Sequence, residues 1–365
     1  MSTDVAWIRT ADGGLSLEDR NDRAEGSLRV LRAGICGTDL QIQRGVRGDV
    51  AAVLGHEGLA EHRTQAGVRR VIFNPVAADD QDVILGHSFD GIFRRWFPAA
   101  DGAAVLRDLV PARPDLPADL AALVEPLGAV LYGWDLVDAP GPVGIWGGGT
   151  TAVLAAIVGE LRGSPVTLVH TRKERLDYLR GREVLTTGVL TTRSPGALTG
   201  AFVCLPREAA GQALASALPL LVDGATVDLF GGFGRGAAHR LTGGVDLGEV
   251  RRANASGFPV PGHRTTVTSP AGRRVNLTGH RGTSADHLLR AQDLLCRQPE
   301  RFGRLLSHVY SLEEAGAVLH SMATDRPGNR VTGEHLKVVI DPTLPAGTSR
   351  APDLTTLVHE VPCGL

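Results

Sequence analysis

The chain has 365 residues, enough for two domains, and 43% of them are hydrophobic, which supports sizeable cores. Its 38 basic and 40 acidic residues give a formal net charge of −2, which argues against an electrostatic nucleic-acid or membrane partner. Four scattered cysteines without a CxxC pair argue against a disulfide framework, and neither a leader-like N-terminus nor a run of about 18 apolar residues is apparent, so we expect a cytoplasmic protein.

The first informative stretch follows a predicted strand. Residues 1–35 are typical of short strands, the last of which leads into a loop with Cys36 in Cys-Gly-Thr-Asp, and Gly55-His56-Glu57 follows about twenty residues later. Thiolate and imidazole are ligands that Zn²⁺ prefers, and a catalytic zinc needs only three protein ligands. Taken alone, a cysteine near an apolar run is usually a small buried hydrophobic residue, and a single Gly-His-Glu is common by chance. The prediction therefore rests on the ordered set.

A second break in regular structure is predicted at Glu125-Pro126. The proline-rich residues 111–120 give way to an apolar helix pattern, and Pro126 either kinks this helix or starts a new one at its first turn. Such a break would turn the Glu125 side chain out of the helix. The alternative is a half-buried glutamate at a helix junction.

The stretch 141–175 predicts a dinucleotide site. An apolar strand ends at Trp146, an Ala-rich helix follows, and PVTLVH is a second buried strand. Between strand and helix lies a G-x-G-x-x-A turn, Gly147-Gly148-Gly149-Thr150-Thr151-Ala152. Gly147 allows the tight turn, Gly149 lets the backbone approach a pyrophosphate, and the helix N-terminus supplies amide donors.

The end of that second strand favours NADP(H) over NAD(H). NAD sites place Asp or Glu there for the ribose hydroxyls, whereas this chain has His170-Thr171-Arg172-Lys173. Thr171 and Arg172 could donate to a 2′-phosphate that a carboxylate would repel. The alternative is that the basic residues are solvated at a helix start.

The rest of the chain predicts further alternation of strands and helices. Residues 201–206 and 224–232 are predicted strands joined by a helix, and 273–283 supplies a last strand. Residues 234–263 are polar and Gly-rich, which is more typical of a lid or subunit-contact loop than of a regular element.

The C-terminal part predicts two helices, SADHLLRAQDLLC and SLEEAGAVLHSMATD, and then the strand HLKVVIDP. The tail, residues 344–365, is expected to be loosely ordered.

The motifs CGTD, GHE and EPLG resemble, in order and approximate spacing, those of the medium-chain dehydrogenase/reductase family of the zinc alcohol dehydrogenase type. The glutamate of EPLG resembles the polyol and sugar dehydrogenase branch. This resemblance covers about residues 1–342. It implies an α/β architecture with a GroES-like, partly open β-barrel catalytic domain and a doubly wound Rossmann domain.

The resemblance also implies the domain bounds. The catalytic domain would comprise residues 1–137, the Rossmann domain 138–283, and residues 284–365 would return to the catalytic domain and end in the tail. The active site would lie in the cleft between the domains, and a homodimer or tetramer is expected.

By the same resemblance, Cys36, His56 and Glu125 are expected to hold one catalytic zinc, with Glu57 as an occasional ligand that exchanges with water. Zinc members of the family often carry a lobe with four closely spaced cysteines after the GHE segment. Residues 71–97 contain no cysteine, so a structural zinc is predicted to be absent.

Three further roles follow from the resemblance. Thr38 would take the alcohol proton, Asp39 would orient the histidine ligand, and Lys337 would contact a cofactor phosphate. A ligating imidazole does need its other N–H held, although Asp39 could instead be a turn or helix cap. Gln41 replaces the relay histidine, so the proton would leave through Thr38, a ribose hydroxyl and water. His87 is expected at the surface or in the core, with the substrate cleft as the alternative.

The resulting hypothesis is a zinc-dependent oxidoreductase. It would transfer a hydride between NADP(H) and a secondary alcohol or ketone of a polyol, sugar or aminocyclitol, in specialised metabolite biosynthesis. Two alternatives stay open: a dehydrogenase of amino alcohols or simple secondary alcohols, and a zinc-free NADPH-binding protein or reductase.

Overall fold

The computed structural model describes residues 4–20, 23, 25–65, 67–77, 80–98, 108–324 and 333–354. It divides into two compact units, the first formed by Met1–Glu125 with Leu288–Leu365 and the second by Pro126–His287. The predicted first boundary, after residue 137, falls at the far end of a helix whose Trp134 packs on Phe202 and donates to the Ala155 carbonyl. These contacts lie within the second unit.

The strands of the described residues are numbered in chain order. They are β1 (Val5–Arg9), β2 (Leu15–Asp19), β3 (Leu28–Gly34), β4 (Glu57–Thr64), β5 (Gly67–Ile72), β6 (Trp96–Phe97), β7 (Val110–Pro111), β8 (Val143–Trp146), β9 (Val166–Val169), β10 (Val189–Thr191), β11 (Leu198–Val203), β12 (Leu221–Asp228), β13 (Thr265–Thr268), β14 (Arg274–Thr278), β15 (Leu306–Ser311), β16 (Lys337–Asp341) and β17 (Ser349–Arg350).

The α-helices are numbered in the same way. They are α1 (Gly37–Gln43), α2 (Val124–Val137), α3 (Thr150–Leu161), α4 (Lys173–Gly181), α5 (Arg207–Ala217), α6 (Leu247–Arg252), α7 (Ala285–Arg297), α8 (Pro299–Gly303) and α9 (Ala315–Thr324). Short 3-10 helices lie at Asp119–Leu123, Leu218–Leu220, Arg240–Thr242 and Leu312–Glu314.

The first unit is built on a mixed eight-stranded sheet. Its order is β17-β15-β16-β3-β4-β5-β7, with β6 paired to β3, and only β15 and β16 run parallel. Buried side chains such as Leu28, Val30 and Phe73 form its core. Pairing of β3 with β16 joins the N-terminal part of the chain to its C-terminal return.

The second unit has a seven-stranded sheet of order β10-β9-β8-β11-β12-β14-β13. Numbered along the chain, its six parallel strands run 3-2-1-4-5-6, the order of a doubly wound dinucleotide-binding sheet. The predicted Rossmann fold is therefore confirmed. Strand β13 adds an antiparallel edge that the prediction missed, although its β-branched sequence TTVT favours a strand.

Helix α2 explains the break at Glu125-Pro126. A 3-10 helix, Asp119–Leu123, ends where α2 begins at Val124, so Pro126 lies in the first turn of α2 and its missing N–H costs no helical hydrogen bond. Of the two predicted alternatives, the new helix is correct. Together the two helices are long and apolar enough to cross a membrane, but 89% of this stretch is buried inside the protein, as expected for a core helix.

Two loop predictions need correction. Residues 234–263 contain the regular helix α6, whose start is capped by the Asp246 side chain accepting from the Gly248 and Glu249 amides at 2.8 and 3.1 Å. The part of the tail up to Leu354 is fixed as well. Arg350 forms hydrogen-bonded ion pairs with Asp119, at 2.6 and 2.8 Å, and β17 pairs with β15. Residues 355–365 lie outside the described residues.

Candidate metal and cofactor sites

The Cys-Gly-Thr-Asp motif starts helix α1. Cys36 is the N-cap residue: its amide donates to Asp39 Oδ2 at 2.8 Å, and its Sγ accepts from the Thr38 amide at 3.5 Å, which makes a capping box. Thr38 lies half-buried in the first turn. The local sequence therefore fixes where the Cys36 thiol stands.

His56 is positioned by an unusual glycine and by Asp39. Gly55 has a φ of +93°, and a Cβ there would lie 2.6 Å from the Phe93 ring, so only glycine fits. The Gly55 amide donates to Asp39 Oδ1 at 3.2 Å, and the same oxygen lies 3.6 Å from His56 Nδ1, too far for a hydrogen bond but close for a charge pair. Asp39 thus caps α1 and also faces the imidazole.

The charges of this pair reinforce each other. Burial opposes ionisation of the Asp39 carboxyl, but the neighbouring His56 outweighs it and holds the pKa of Asp39 below its ordinary value. Burial alone would lower the pKa of His56, whereas Asp39 raises it well above its ordinary value. A metal would have to displace a proton from this imidazole.

The structure brings together three potential ligands. One ligand atom each from Cys36, His56 and Glu57 lies within 4.8 Å of the others, and all three side chains are at least partly buried. A thiol, an imidazole and a carboxylate form a donor set that suits zinc. Glu125, the predicted third ligand, is not in this group, whereas Glu57, the predicted occasional ligand, is.

Glu125 nevertheless stands electrostatically close to the cluster. Burial and the charge of Glu57 raise the pKa of Glu125 to about 7, and His56 offsets part of this effect. Burial and Glu57 also raise the pKa of the Cys36 thiol. A bound cation beside the cluster would therefore favour the ionised forms of Glu125 and Cys36.

Lys337 lies inside the first unit. Its side chain is buried, and Nζ forms an ion pair with Glu57 Oε2 and donates to the Ile35 carbonyl at 3.1 Å. A Cβ on Gly34 would lie 2.7 Å from the same Glu57 oxygen, so Gly34 keeps this space open. The predicted phosphate contact of Lys337 stays a prediction, while the observed partner of its ammonium is the Glu57 carboxylate.

His87 is a core residue at the edge of the cluster. Its ring meets that of His56 edge-on, with centroids 4.9 Å apart, and only 8% of the residue is exposed. Burial and the nearby His56 and Arg47 lower the pKa of His87 to about 3, so the ring is neutral. Neither ring nitrogen has a hydrogen-bond partner in the described part of the chain.

The glycine turn of the second unit has the predicted form. Gly147 has a φ of +143°, and a Cβ there would lie 2.5 Å from the Cys204 carbonyl oxygen. Gly149 is the N-cap of α3 and faces open space, without a side chain to cap the helix amides. Thr150 and Thr151 form the half-buried first turn. These features leave the amides of α3 available to an anion.

The end of β9 carries the residues predicted to choose the cofactor. Thr171 and Arg172 are exposed, and the Arg172 amide donates to His170 Nδ1 at 3.1 Å. The sequence analysis missed Arg175, whose buried Nε donates to the Gly148 carbonyl at 2.8 Å and so braces the glycine turn. The sequence signal that could have pointed to Arg175 is its position in the first turn of α4, directly after β9.

A buried acid at the end of β12 was also missed. Asp228 is fully buried and neither carboxyl oxygen has a hydrogen-bond partner among the described residues, although His280 Nε2 lies 4.0 Å from Oδ2. Burial raises the pKa of Asp228 to about 7, with Arg251 acting in the opposite direction. Burial also lowers the pKa of His280 to about 3.

Neither the family models nor the curated proteins compared with this chain match it. Solved structures do. The NADP-bound structure of a zinc-binding dehydrogenase from Sinorhizobium meliloti matches with a TM-score of 0.69 at 19% identity, over 94% of this chain and 100% of that one. An alcohol dehydrogenase from Thermotoga maritima matches with a TM-score of 0.68 at 15% identity, over 93% of this chain and 99% of that one. Galactitol-1-phosphate dehydrogenase from Escherichia coli matches with a TM-score of 0.66 at 16% identity, over 94% of this chain and 100% of that one.

These similarities extend over both units. At such low identities they establish the fold and nothing finer, and that fold is the one expected from the motifs: a GroES-like unit with an inserted Rossmann unit. The expected α/β architecture is thereby confirmed.

Proposed function

We propose that the chain is a zinc-dependent oxidoreductase that transfers a hydride between NADP(H) and a secondary alcohol or ketone of a polyol, sugar or aminocyclitol. The observation that carries this proposal is the buried cluster of Cys36, His56 and Glu57 within the fold of zinc-type dehydrogenases. A galactitol-1-phosphate dehydrogenase among the structural neighbours supports the polyol class.

The chain's own residues would hold the metal and handle the proton. Cys36 and His56 would be two ligands, with Glu57 or Glu125 as the carboxylate ligand, and Asp39 would keep the imidazole oriented. A bound zinc ion would supply Lewis-acid polarisation of the substrate oxygen. Thr38, half-buried in the first turn of α1, would accept the alcohol proton at its hydroxyl while passing its own proton to a ribose hydroxyl and water.

The nicotinamide cofactor would accept the hydride, and the second unit would bind its phosphates. The uncapped amides of α3 suit the pyrophosphate, and exposed Arg172 suits a 2′-phosphate because no acid stands at the end of β9. Structural neighbours have been solved with NADP and with NADH, so NADP preference is proposed from Thr171 and Arg172.

One observation favours a second candidate, a zinc-free NADPH-binding protein or reductase. The Lys337 ammonium already pairs with Glu57, so a protein cation neutralises one of the candidate ligands. Zinc content separates the two candidates. A dehydrogenase of amino alcohols or simple secondary alcohols would keep the metal and differ only in a substrate panel.

The first experiment is elemental analysis of zinc-replete protein with two matched variants. Cys36→Ala should lose a stoichiometric zinc. Cys296→Ala, which alters a half-buried cysteine outside the cluster, should retain it. Wild-type protein without zinc, or equal zinc in both variants, would refute the metal site.

A second experiment tests the cofactor. Arg172→Asp should reverse the NADPH-over-NADH preference in fluorescence titrations, because a carboxylate repels the 2′-phosphate. Lys173→Ala, at a side chain that pairs with Asp177 at 2.5 Å, is the control and should preserve it. We also propose that the protein is cytoplasmic and forms a homodimer or tetramer. Light scattering of the purified protein would test the oligomeric state.

A further inference from the structure

His87 is a buried polar side chain whose hydrogen bonds the fold does not provide. Its backbone is fixed on both sides, since its amide donates to the Ile84 carbonyl at 3.1 Å and its carbonyl accepts from the Ala51 amide at 2.9 Å. The backbone that carries the ring is therefore fixed, while both ring nitrogens lack hydrogen-bond partners among the described residues. Buried polar groups in folded proteins are nearly always paired with protein, water or ligand.

The nearest charged group does not supply the missing partner. Asp49 Oδ1 lies 3.8 Å from His87 Nδ1, beyond hydrogen-bond distance. Its carboxylate is already bound by Arg47, whose Nε and Nη2 donate to it at 2.7 and 2.9 Å. His87 thus offers its nitrogens to something else, next to the ring of His56.

We propose that His87 binds a hydroxyl group on the carbon next to the reacting carbinol, and so selects vicinal diols over monohydric alcohols. This inference rests on the proposed dehydrogenase function. The reacting oxygen would lie at the metal beside His56, and the two oxygens of a vicinal diol are about one hydrogen-bond length apart. The second oxygen of such a substrate is the partner that we assign to the His87 ring, whose centroid lies 4.9 Å from that of His56.

The chemistry of the imidazole matches a hydroxyl. Each ring nitrogen of an imidazole can donate or accept a hydrogen bond according to its protonation, and a hydroxyl can satisfy either role. A monohydric alcohol would leave both nitrogens unpaired in a buried site, which is how a site built to bind a hydroxyl discriminates against the analogue that lacks it. The polar neighbours Asp49 and Arg47 extend this hydrophilic side of the site.

The test uses two matched substrate pairs that differ by a single hydroxyl: 2,3-butanediol with 2-butanol, and 1,2-cyclohexanediol with cyclohexanol. Zinc-replete wild type, His87→Leu and His87→Gln are compared by kcat/KM with NADP. Zinc content is measured in each protein. His87→Gln is the conservative variant, because its amide keeps a donor and an acceptor.

We expect His87→Leu to lower kcat/KM on the diols by about 10- to 100-fold, and on the mono-alcohols by less than about 3-fold. His87→Gln should recover most of the diol activity, and all three proteins should hold equal zinc.

An equal loss on both members of a pair would make His87 a structural residue with an ordered water as its partner. That result would overturn the inference and leave the dehydrogenase function intact. If zinc-replete wild type oxidised no alcohol with either cofactor, the proposed function and this inference would both fail.

Discussion

The buried carboxyl of Asp228 makes the stability of the second unit depend on pH. We consider Asp228→Asn, which keeps the shape of the side chain and removes its titration. The folded pKa is about 7 against an ordinary value of 3.8, because burial disfavours the charged form. Folding thus favours the protonated acid, so wild-type stability falls as the pH rises from about 4 to about 7 and is level above that.

The shift corresponds to about 4 kcal/mol in full, since one pKa unit is about 1.4 kcal/mol. Between about pH 5 and about pH 8, linkage gives a loss of about 2.5 kcal/mol in the free energy of unfolding of the wild type. The variant loses none of it. His280 also titrates, but its depressed pKa acts in both proteins and cancels in their difference.

The assay is urea unfolding across this pH range, read by pulsed hydrogen exchange of peptides from β12 and β14, so that the second unit is followed separately. The gap between Asp228→Asn and wild type should widen in favour of the variant by about 2.5 kcal/mol as the pH rises. Asp138→Asn, at an exposed acid in the same unit, is the matched control and should run parallel to wild type. Parallel curves for Asp228→Asn as well would refute the reasoning.

Three further variants test the first unit. Lys337→Met should lower the free energy of unfolding in urea by about 3–5 kcal/mol, because Glu57 is left as an unpaired buried charge. The double variant with Glu57→Gln should recover much of this loss, whereas a Lys337→Met protein as stable as wild type would contradict the ion pair. Arg350→Gln should cost about 1–2 kcal/mol and increase hydrogen exchange in residues 349–354, because two bonds to buried Asp119 are lost; unchanged exchange would mean that the tail is held by other contacts. Asp39→Asn keeps a capping oxygen for α1 but loses the charge near the His56 imidazole. Circular dichroism should therefore be unchanged while zinc affinity falls about 10- to 100-fold. A lost helix signal with normal zinc affinity would mean that Asp39 serves only as a helix cap.

The elements that the sequence predicted well are those whose signal is local. The Rossmann turn lies between two apolar strands within 35 residues, and Gly147 has the positive φ that the motif requires. Pro126 likewise restricts its own helix to a new start. The edge strand β13 and helix α6 were missed because they are only 4 and 6 residues long, too short to show a hydrophobic period.

The partners of the site residues were less predictable, since they come from distant parts of the chain. Lys337 and Glu57 are 280 positions apart, and Arg350 and Asp119 are 231 apart. A sequence motif can predict a ligand, but the neighbouring sequence does not predict which distant residue neutralises its charge. For the same reason the prediction named Glu125 as the third ligand, whereas the structure groups Glu57 with the thiol and the imidazole.

This distance has a consequence for how the candidate metal site forms. Strand β16 carries Lys337, and it pairs with β3, where Val339 lies opposite Gly34. The Glu57 carboxylate is therefore neutralised only after the C-terminal return has joined the sheet of the N-terminal segment. Before that step, the Glu57 carboxylate would lack its ion-pair partner. The proposed metal site would thus be complete only in the whole first unit, because the N-terminal segment alone contains every candidate ligand but lacks the strand that places Lys337 against Glu57.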